Sequence, residues 1–202
     1  MKELEKRSYS FDPRAEGNRI TGRPIVYGSR TDIGPFDEII EPGALNGADL
    51  TDVRFLVNHD ISRIPLARSR RNNGNSTMQL TPDEQGLLID VQLDTENNAD
   101  ARSLYSAVER GDISGMSFMF SISDEEWENL ESDHPTRHIR SIGSVVEVSA
   151  VTFPAYKSTE INARSAEALE NARAAVETVR ATSVETDGLA LAKAKYEFKS
   201  KF

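Results

Sequence analysis

The amino-acid sequence predicts a mixed α+β fold that is mainly β, with a helical C-terminal tail. Short apolar segments separated by Gly and Pro occupy much of the first 153 positions, and several of them alternate with a period of two, as strands do. One amphipathic helix, predicted over 97–112, interrupts them. After about Arg164 the composition shifts to Ala, Glu, Arg and Lys, which is typical of helix.

The first half of the chain is predicted to form short strands and ordered loops. The segment "ITGRPIVYG" (20–28) indicates a strand with Pro24 at a bulge or an edge, because proline cannot donate to a sheet ladder. "DVRFLVNHD" (52–60) predicts a firmer strand. The following "ISRIPLARSRRNNGNS" (61–76) is basic and rich in Asn and Gly, so we expect a connection there.

A hairpin and a helix are predicted next. "TMQLTPDEQGLLIDVQLD" (77–94) indicates a hairpin, because apolar residues alternate along its second arm from Leu87 to Leu93. In the helix that follows, Asn98 is placed to cap the first turn and Gly111 to end the last one.

Two strands complete the predicted main domain. "GDISGMSFMFSI" (111–122) indicates a turn and then an apolar strand. The acidic "SDEEWENLESDHPT" (123–136) predicts an exposed loop or a distorted hairpin tip. "RHIRSIGSVVEVSAVTF" (137–153) resumes strand character up to Pro154.

These patterns divide the chain into three parts. We predict an N-terminal extension over 1–7, a main domain over 8–163 and a helical tail over 164–202. The tail should break near "TDG" (186–188). Its apolar stripe is weak and built on Ala, which suits docking or partner binding better than a core helix.

Composition excludes several classes of function. The formal net charge of −9 argues against nucleic acid or an anionic membrane as the main partner. The absence of cysteine excludes a disulfide framework, a thiolate zinc site and a cysteine nucleophile. No apolar run approaches the roughly 20 residues of a membrane span, and the N-terminus lacks a secretion-signal core. We expect a soluble, intracellular protein.

Three polar residues could carry chemistry. Ser117 lies inside an apolar strand, His59 follows a strand end, and Glu147 lies in a strand that is apolar on both faces. They could serve as nucleophile, base and orienting carboxylate. Simpler interpretations stay open: Ser117 as packing, His59 bonded within a turn with Asn58 and Asp60, and Glu147 facing water at a sheet edge.

The remaining candidates are weaker. Ser114 is the nearest alternative nucleophile. His134 lies beside a proline in the acidic segment, and His138 could be an exposed strand residue. The three histidines show no "HExxH" spacing, and no "GxSxG" elbow is present, so neither a zinc site nor an α/β-hydrolase is expected.

A series of segments resembles one protein family. In order they are "GRPIVYGS", "FDEIIEPGAL", "VRFLVNHD", "IPLARS", "TMQLTPDEQGLLIDVQLD", "DARSLYSAVERGDISGMSFMF" and "EVSAVTFPAY", over about 8–164. They resemble the prohead (capsid maturation) serine proteases of tailed phages, the HK97-like family. The chain has "PLAR" (65–68) where the family often shows "PLGR", and the loop "SRRNNGNS" (69–76) is longer than usual.

The resemblance implies a fold and a site. The fold would be akin to the herpesvirus maturational protease, a bent β-barrel or sheet core surrounded by helices. Ser117 of "GMSF" would be the nucleophile, His59 of "NHD" the base, and Glu147 of the "EVS" strand the third member. Herpesvirus relatives use a second histidine there, which leaves His138 as a lesser candidate. No cofactor or metal is implied.

The resemblance also implies a function. The protein would be a serine endopeptidase that cleaves scaffold and capsid-protein segments, and itself, inside the assembling prohead in the host cytoplasm. Its partners would be the major capsid protein with its scaffolding segment and further copies of itself, with no nucleic acid and no membrane. The alternative is a non-enzymatic scaffold or assembly protein of the prohead, in which the helical tail drives assembly.

Overall fold

The computed structural model describes residues 4–10, 13–71, 74–153 and 165–180. Within these ranges the strands and helices are β1 (Glu5–Ser10), β2 (Arg14–Glu16), β3 (Arg19–Val26), β4 (Thr31–Asp32), β5 (Asp37–Ile40), β6 (Asp52–Val57), β7 (Ala67–Arg70), β8 (Met78–Asp83), β9 (Gly86–Gln92), α1 (Ala99–Glu109), β10 (Gly115–Glu128), β11 (Thr136–Val151) and α2 (165–180). The described chain is mainly β with two helices, as predicted.

A seven-stranded sheet is organised around the long strand β11. Its strand order is β1-β10-β11-β5-β4, with β6 also paired to β11 and β7 to β6. β11 forms an antiparallel hairpin with β10 on one edge. On its other edge β11 pairs in parallel with β5 through 136–139 and with β6 through 147–150. Segments distant in sequence therefore meet along one strand.

A second, four-stranded sheet has the order β2-β3-β9-β8. The predicted hairpin is confirmed as β8 and β9, and Leu87, Ile89 and Val91 are all buried. The register of β3 against β9 shifts between Gly22 and Ile25, which confirms the bulge predicted at Pro24. Apolar side chains of both sheets join in one core cluster.

Helix α1 begins and ends as predicted. The Asn98 side chain accepts hydrogen bonds from the backbone N–H groups of Asp100 and Ala101. Gly111 follows the last turn with φ 78°, a left-handed conformation that glycine adopts without steric cost. The face carrying Leu104 packs into the core.

The structure corrects three expectations and decides between two alternatives for a fourth. Among the described strands the sheets are open, so they do not form the closed barrel that the resemblance implied. β6 ends at Val57, so the predicted strand over 52–60 is too long. Four residues of the predicted connection form β7 because they pair with β6. β10 continues to Glu128, which confirms the distorted hairpin, one of the two alternatives predicted for the acidic segment, with several register shifts.

The two chain ends meet the main domain differently. β1 begins at Glu5, so this strand crosses the boundary predicted between the N-terminal extension and the domain. In α2, Leu169 is buried beside Ile33 and Phe36, and the Arg173 guanidinium donates to two backbone carbonyls of the β10–β11 turn. The predicted break at 186–188 lies outside the described residues. No helix in the described part of the chain is long and apolar enough to cross a membrane.

Candidate active site

The hairpin of β10 and β11 positions two of the predicted site residues. Ser117 lies directly opposite Ser149, and Met119 lies opposite Glu147. Because side chains alternate along a strand, Glu147 and Ser149 share a face of β11. Ser117 and Ser149 are 0% exposed and Glu147 is 1% exposed. Glu147 therefore lies in a central strand, and the alternative that placed it at an edge facing water is wrong.

His59 is positioned by a strained turn at the end of β6. Asn58 and His59 have φ values of 51° and 59°, a left-handed conformation that is costly for residues other than glycine. Contacts with β11 hold the turn: the Asn58 N–H donates to the Ala150 carbonyl at 2.9 Å, and the His59 N–H donates to Ser149 Oγ at 3.0 Å. The parallel pairing of β6 with β11 brings the turn beside Glu147.

The three predicted side chains form one continuous contact chain. His59 Nε2 lies 2.5 Å from Ser117 Oγ, and His59 Nδ1 contacts Oε1 of Glu147. The Ser149 hydroxyl donates to the other carboxylate oxygen, Oε2, at 2.7 Å. The Asn58 side chain bonds to Thr152 instead of the imidazole, so the interpretation of His59 as a residue bonded only within its turn is also wrong.

Strand β1 covers the other side of Ser117. In the β1–β10 register Ser8 lies opposite Ser117. The Ser117 hydroxyl donates to the Arg7 carbonyl oxygen at 2.7 Å, and the Ser8 hydroxyl donates to Ser117 Oγ at 2.8 Å. Since a serine hydroxyl carries one proton, the Arg7 carbonyl and a neutral His59 Nε2 compete for it.

A cavity of about 400 Å³ opens between the end of β6 and helix α1. Its lining includes Asn58 and Asp60, the neighbours of His59, together with Leu56 and Leu104. The cavity therefore borders the turn that carries the imidazole, although neither His59 nor Ser117 lines it.

The other predicted candidates lie elsewhere. Ser114 is exposed and precedes β10. His138 Nδ1 contacts Glu41 Oε1 at 2.6 Å, and His134 Nε2 contacts Asp37 at 3.1 Å. His134 and Asp37 also lie close to Asp32 with metal-ligand spacing, but Asp37 already binds the Arg30 guanidinium. None of these histidines contacts Ser117 in the described structure.

A buried ion cluster lies in the same sheet. Arg7 forms two hydrogen bonds with Glu38, at 2.5 and 2.7 Å, and Arg137 binds Glu5 at 2.8 Å and Glu125 at 2.9 Å. Burial opposes ionisation of Glu5, but the charges of Arg7 and Arg137 outweigh it and hold the pKa of Glu5 below its usual value. Likewise, burial disfavours the charged Arg137, yet the surrounding carboxylates raise its pKa. We call these five residues the ion cluster.

The contact chain has the geometry needed for nucleophilic catalysis. A hydroxyl, an imidazole and a carboxylate within hydrogen-bonding reach allow the imidazole to take the hydroxyl proton while the carboxylate holds the ring. We call Ser117, His59, Glu147 and Ser149 the serine cluster.

Comparison with known proteins identifies the family. The profile of the caudovirus prohead serine proteases matches residues 2–173. The chain belongs to this family. The resemblance found in the sequence segments is thereby confirmed.

Two known proteins are similar to this member of the prohead protease family. The prohead protease of Enterobacteria phage HK97 is 30% identical over 141 residues, which cover 67% of this chain and 57% of that protein. The chain thus spans little more than half the length of that relative. The capsid assembly protease of bacteriophage T4 matches 75% of this chain and 98% of its own, with 11% identity and a TM-score of 0.39.

Sequence reasoning missed Ser149, Arg7 and Ser8. The alternation of β11 places Ser149 on the same face as Glu147, which was the signal available for it. No local pattern pairs β1 with β10, because those strands are more than 100 positions apart.

Proposed function

We propose that this member of the caudovirus prohead serine protease family is an endopeptidase that acts during prohead maturation. The observation that carries the proposal is the contact chain from Ser117 through His59 to Glu147. In this proposal Ser117 is the nucleophile, His59 is the general base and then the general acid, and Glu147 orients the imidazole.

The reaction is peptide hydrolysis through an acyl-enzyme. His59 Nε2 takes the Ser117 proton as Oγ bonds to the scissile carbonyl carbon, and Glu147 stabilises the imidazolium that forms. The C–N bond then breaks and His59 gives the proton to the leaving amine. Water, deprotonated by the same imidazole, attacks the ester and releases the acid and free Ser117.

Burial supports these roles. Ser117 is itself 0% exposed and Glu147 is 1% exposed, so the hydroxyl lies in an environment of low dielectric constant. Electrostatic interactions are stronger there than in water, which favours stabilisation of the imidazolium by a single carboxylate.

The proposed substrates are the scaffolding segment of the major capsid protein and this chain's own tail. Cleavage would take place inside the assembling prohead in the host cytoplasm, where confinement with capsid protein and further copies of the protease gives a high local concentration. We assign the protease domain to 8–163 and a scaffold-binding or self-cleaved tail to 164–202.

Co-expression with the capsid protein of the same phage tests the proposal. The wild type should shorten the capsid protein, seen by intact mass, whereas Ser117→Ala should fold and leave it full-length. Ser114→Ala is the matched control and should cleave normally, because Ser114 is exposed and lies outside the contact chain. Processing by Ser117→Ala would overturn the assignment.

The alternative function is a non-enzymatic scaffold. It is favoured by α2, which leaves most of its length exposed while Leu169 docks on the domain. A fluorophosphonate, which phosphonylates activated serines with loss of fluoride, separates the two: wild-type labelling that disappears in Ser117→Ala supports the enzyme. A folded, assembled protein that is never labelled supports the scaffold. Deleting 181–202 and measuring incorporation into proheads tests the tail separately.

A further inference from the structure

Ser149 is the buried group that ties the two halves of the serine cluster together. It is 0% exposed and uses its single hydroxyl twice: it donates to Glu147 Oε2 at 2.7 Å and accepts the backbone N–H of His59 at 3.0 Å. Ser149 Oγ therefore restrains both the Glu147 carboxylate and His59, which this carboxylate contacts.

Both restraints act on groups that could otherwise move. The left-handed backbone of His59 is costly and persists only where neighbouring contacts hold it. The Glu147 carboxylate can rotate about its terminal bond, and a partner on Oε2 keeps Oε1 directed at the imidazole.

We propose that Ser149 is a positioning residue that sets the imidazole of His59 relative to Ser117 through these two hydrogen bonds. The proposal rests on the proposed serine-nucleophile function. Ser149 touches neither substrate nor the reacting hydroxyl and acts through Glu147 and the His59 backbone. Its effect should therefore appear in the chemical step and not in ligand binding.

Fluorophosphonate labelling kinetics test this role. Ser149→Ala should lower the maximal labelling rate about 10- to 100-fold, the range for a lost hydrogen bond to a charged group, with the half-saturating concentration within about twofold of wild type. The low-field NMR signal of the His59 imidazole proton that lies against the Glu147 carboxylate should lose intensity in the same variant. Ser149→Cys, which fills a similar volume with a weak donor, should show the same loss even if the alanine variant folds poorly.

Ser121→Ala is the matched control. Ser121 lies in β10 and is buried, as Ser149 is. It bonds across the hairpin to Ser144 at 2.9 Å, away from the serine cluster. It should lose stability without losing labelling rate. Wild-type kinetics and an unchanged proton resonance in both Ser149 variants would overturn the inference, whereas labelling that persists in Ser117→Ala would overturn the proposed function instead.

The contacts of β1 carry a second inference independently. Ser117 is 0% exposed, and Arg7 and Ser8 lie across it. The Ser117 hydroxyl donates its hydrogen bond to the Arg7 carbonyl, whereas the reaction requires that proton to be directed at His59. A peptide that pairs with β10 at this point would need the edge that β1 occupies.

The geometry points to β1 as an autoinhibitory strand that must separate from β10 around Ser8 before Ser117 can react. This inference also rests on the proposed function. The Arg7 side chain, bound to Glu38 in the ion cluster, anchors the start of the strand, so the opening would involve the backbone from the Arg7 carbonyl onward.

A reversible disulfide cross-link tests the opening. The chain has no cysteine of its own, so two introduced cysteines can pair only with each other. Tyr9 and Met116 are direct partners in the β1–β10 register, so Tyr9→Cys with Met116→Cys can form a disulfide that holds the segment beyond the Arg7 carbonyl on β10. Fluorophosphonate labelling should be at least about tenfold slower in the oxidised protein and recover on reduction.

Two comparisons make the result decisive. Thr81→Cys with Leu88→Cys cross-links an exposed pair in the other sheet and should label equally fast in both redox states. Ser8→Ala removes one closing hydrogen bond and should label roughly 3- to 10-fold faster than wild type. Equal rates for the oxidised and reduced β1 cross-link, or slower labelling of Ser8→Ala, would overturn the inference.

Discussion

The serine cluster and the ion cluster are both buried in the seven-stranded sheet, yet their groups are bonded in opposite ways. In the ion cluster each guanidinium is bound by carboxylates, so no proton is contested. In the serine cluster one hydroxyl proton lies between two acceptors, the Arg7 carbonyl and the His59 imidazole. Both clusters bury polar groups. Only in the serine cluster do two acceptors compete for one transferable proton, and this favours a catalytic role for that cluster.

This comparison predicts that substitutions in the two clusters affect different properties of the protein. Substitutions in the serine cluster should remove activity and spare folding, because they leave the paired charges intact. Substitutions in the ion cluster should lower stability and spare the activity of each folded molecule. The following variants are ordered from the largest expected effect to the smallest.

His59→Ala should give the largest loss, about 10⁴- to 10⁶-fold in cleavage rate, because His59 is the only base that contacts Ser117 among the described residues; the Arg7 carbonyl accepts a hydrogen bond but does not act as a base. Capsid-protein cleavage followed by mass measures it. His138→Ala is the matched control, since His138 also contacts a glutamate but no serine. Retained cleavage in His59→Ala, or a loss in His138→Ala, would reverse the roles of the two histidines.

Glu147→Gln should lower the cleavage rate by about 10³- to 10⁴-fold, because an amide can bind the imidazole in the wrong tautomer and cannot stabilise the imidazolium. The same cleavage assay measures the rate. Glu41→Gln, at the His138 contact, is its control and should cleave normally. A Glu147→Gln variant as active as wild type would remove Glu147 from the mechanism.

Arg137→Met should lower the free energy of unfolding by about 3–5 kcal/mol, because it strips a buried cation from Glu5, Glu38 and Glu125. Urea denaturation measures the change. The fraction that stays folded should react with fluorophosphonate at the wild-type rate. A stable variant that fails to react would mean that the ion cluster takes part in the chemistry.

Glu5→Gln should give the smallest effect, a flatter dependence of stability on acid pH. Because the pKa of Glu5 in the folded protein lies below 4.5, the ordinary value of a glutamate, its ionisation stabilises the fold above that pH. This contribution is lost as the pH falls through the folded pKa. The loss of thermal stability between pH 6 and pH 2.5 should be less steep in Glu5→Gln than in wild type and unchanged in Glu84→Gln, an exposed carboxylate.

Local patterns in the sequence predicted the elements that local interactions determine. The β8–β9 hairpin follows from alternation, and α1 follows from the Asn98 cap and Gly111. The parallel pairing of β5 and β6 with β11 was not predictable, because no short-range signal specifies which distant strands pair.

In the site, too, local features were predicted and long-range contacts were not. Ser117, His59 and Glu147 were named from their strand positions and from family resemblance, and the structure brings them into contact. The left-handed turn at Asn58 and His59 was missed, because neither residue type demands a positive φ. The strand β1 over Ser117 was missed for the same reason as the parallel pairs: its partner is remote in sequence.

The sequence distance between the site residues has a consequence for synthesis. His59 is 58 positions from Ser117 and 88 from Glu147, and the turn carrying His59 is held by β11, which ends at Val151. A growing chain therefore cannot complete the hydroxyl–imidazole–carboxylate chain until β11 has left the ribosome. A nascent polypeptide shorter than that lacks this chain of contacts.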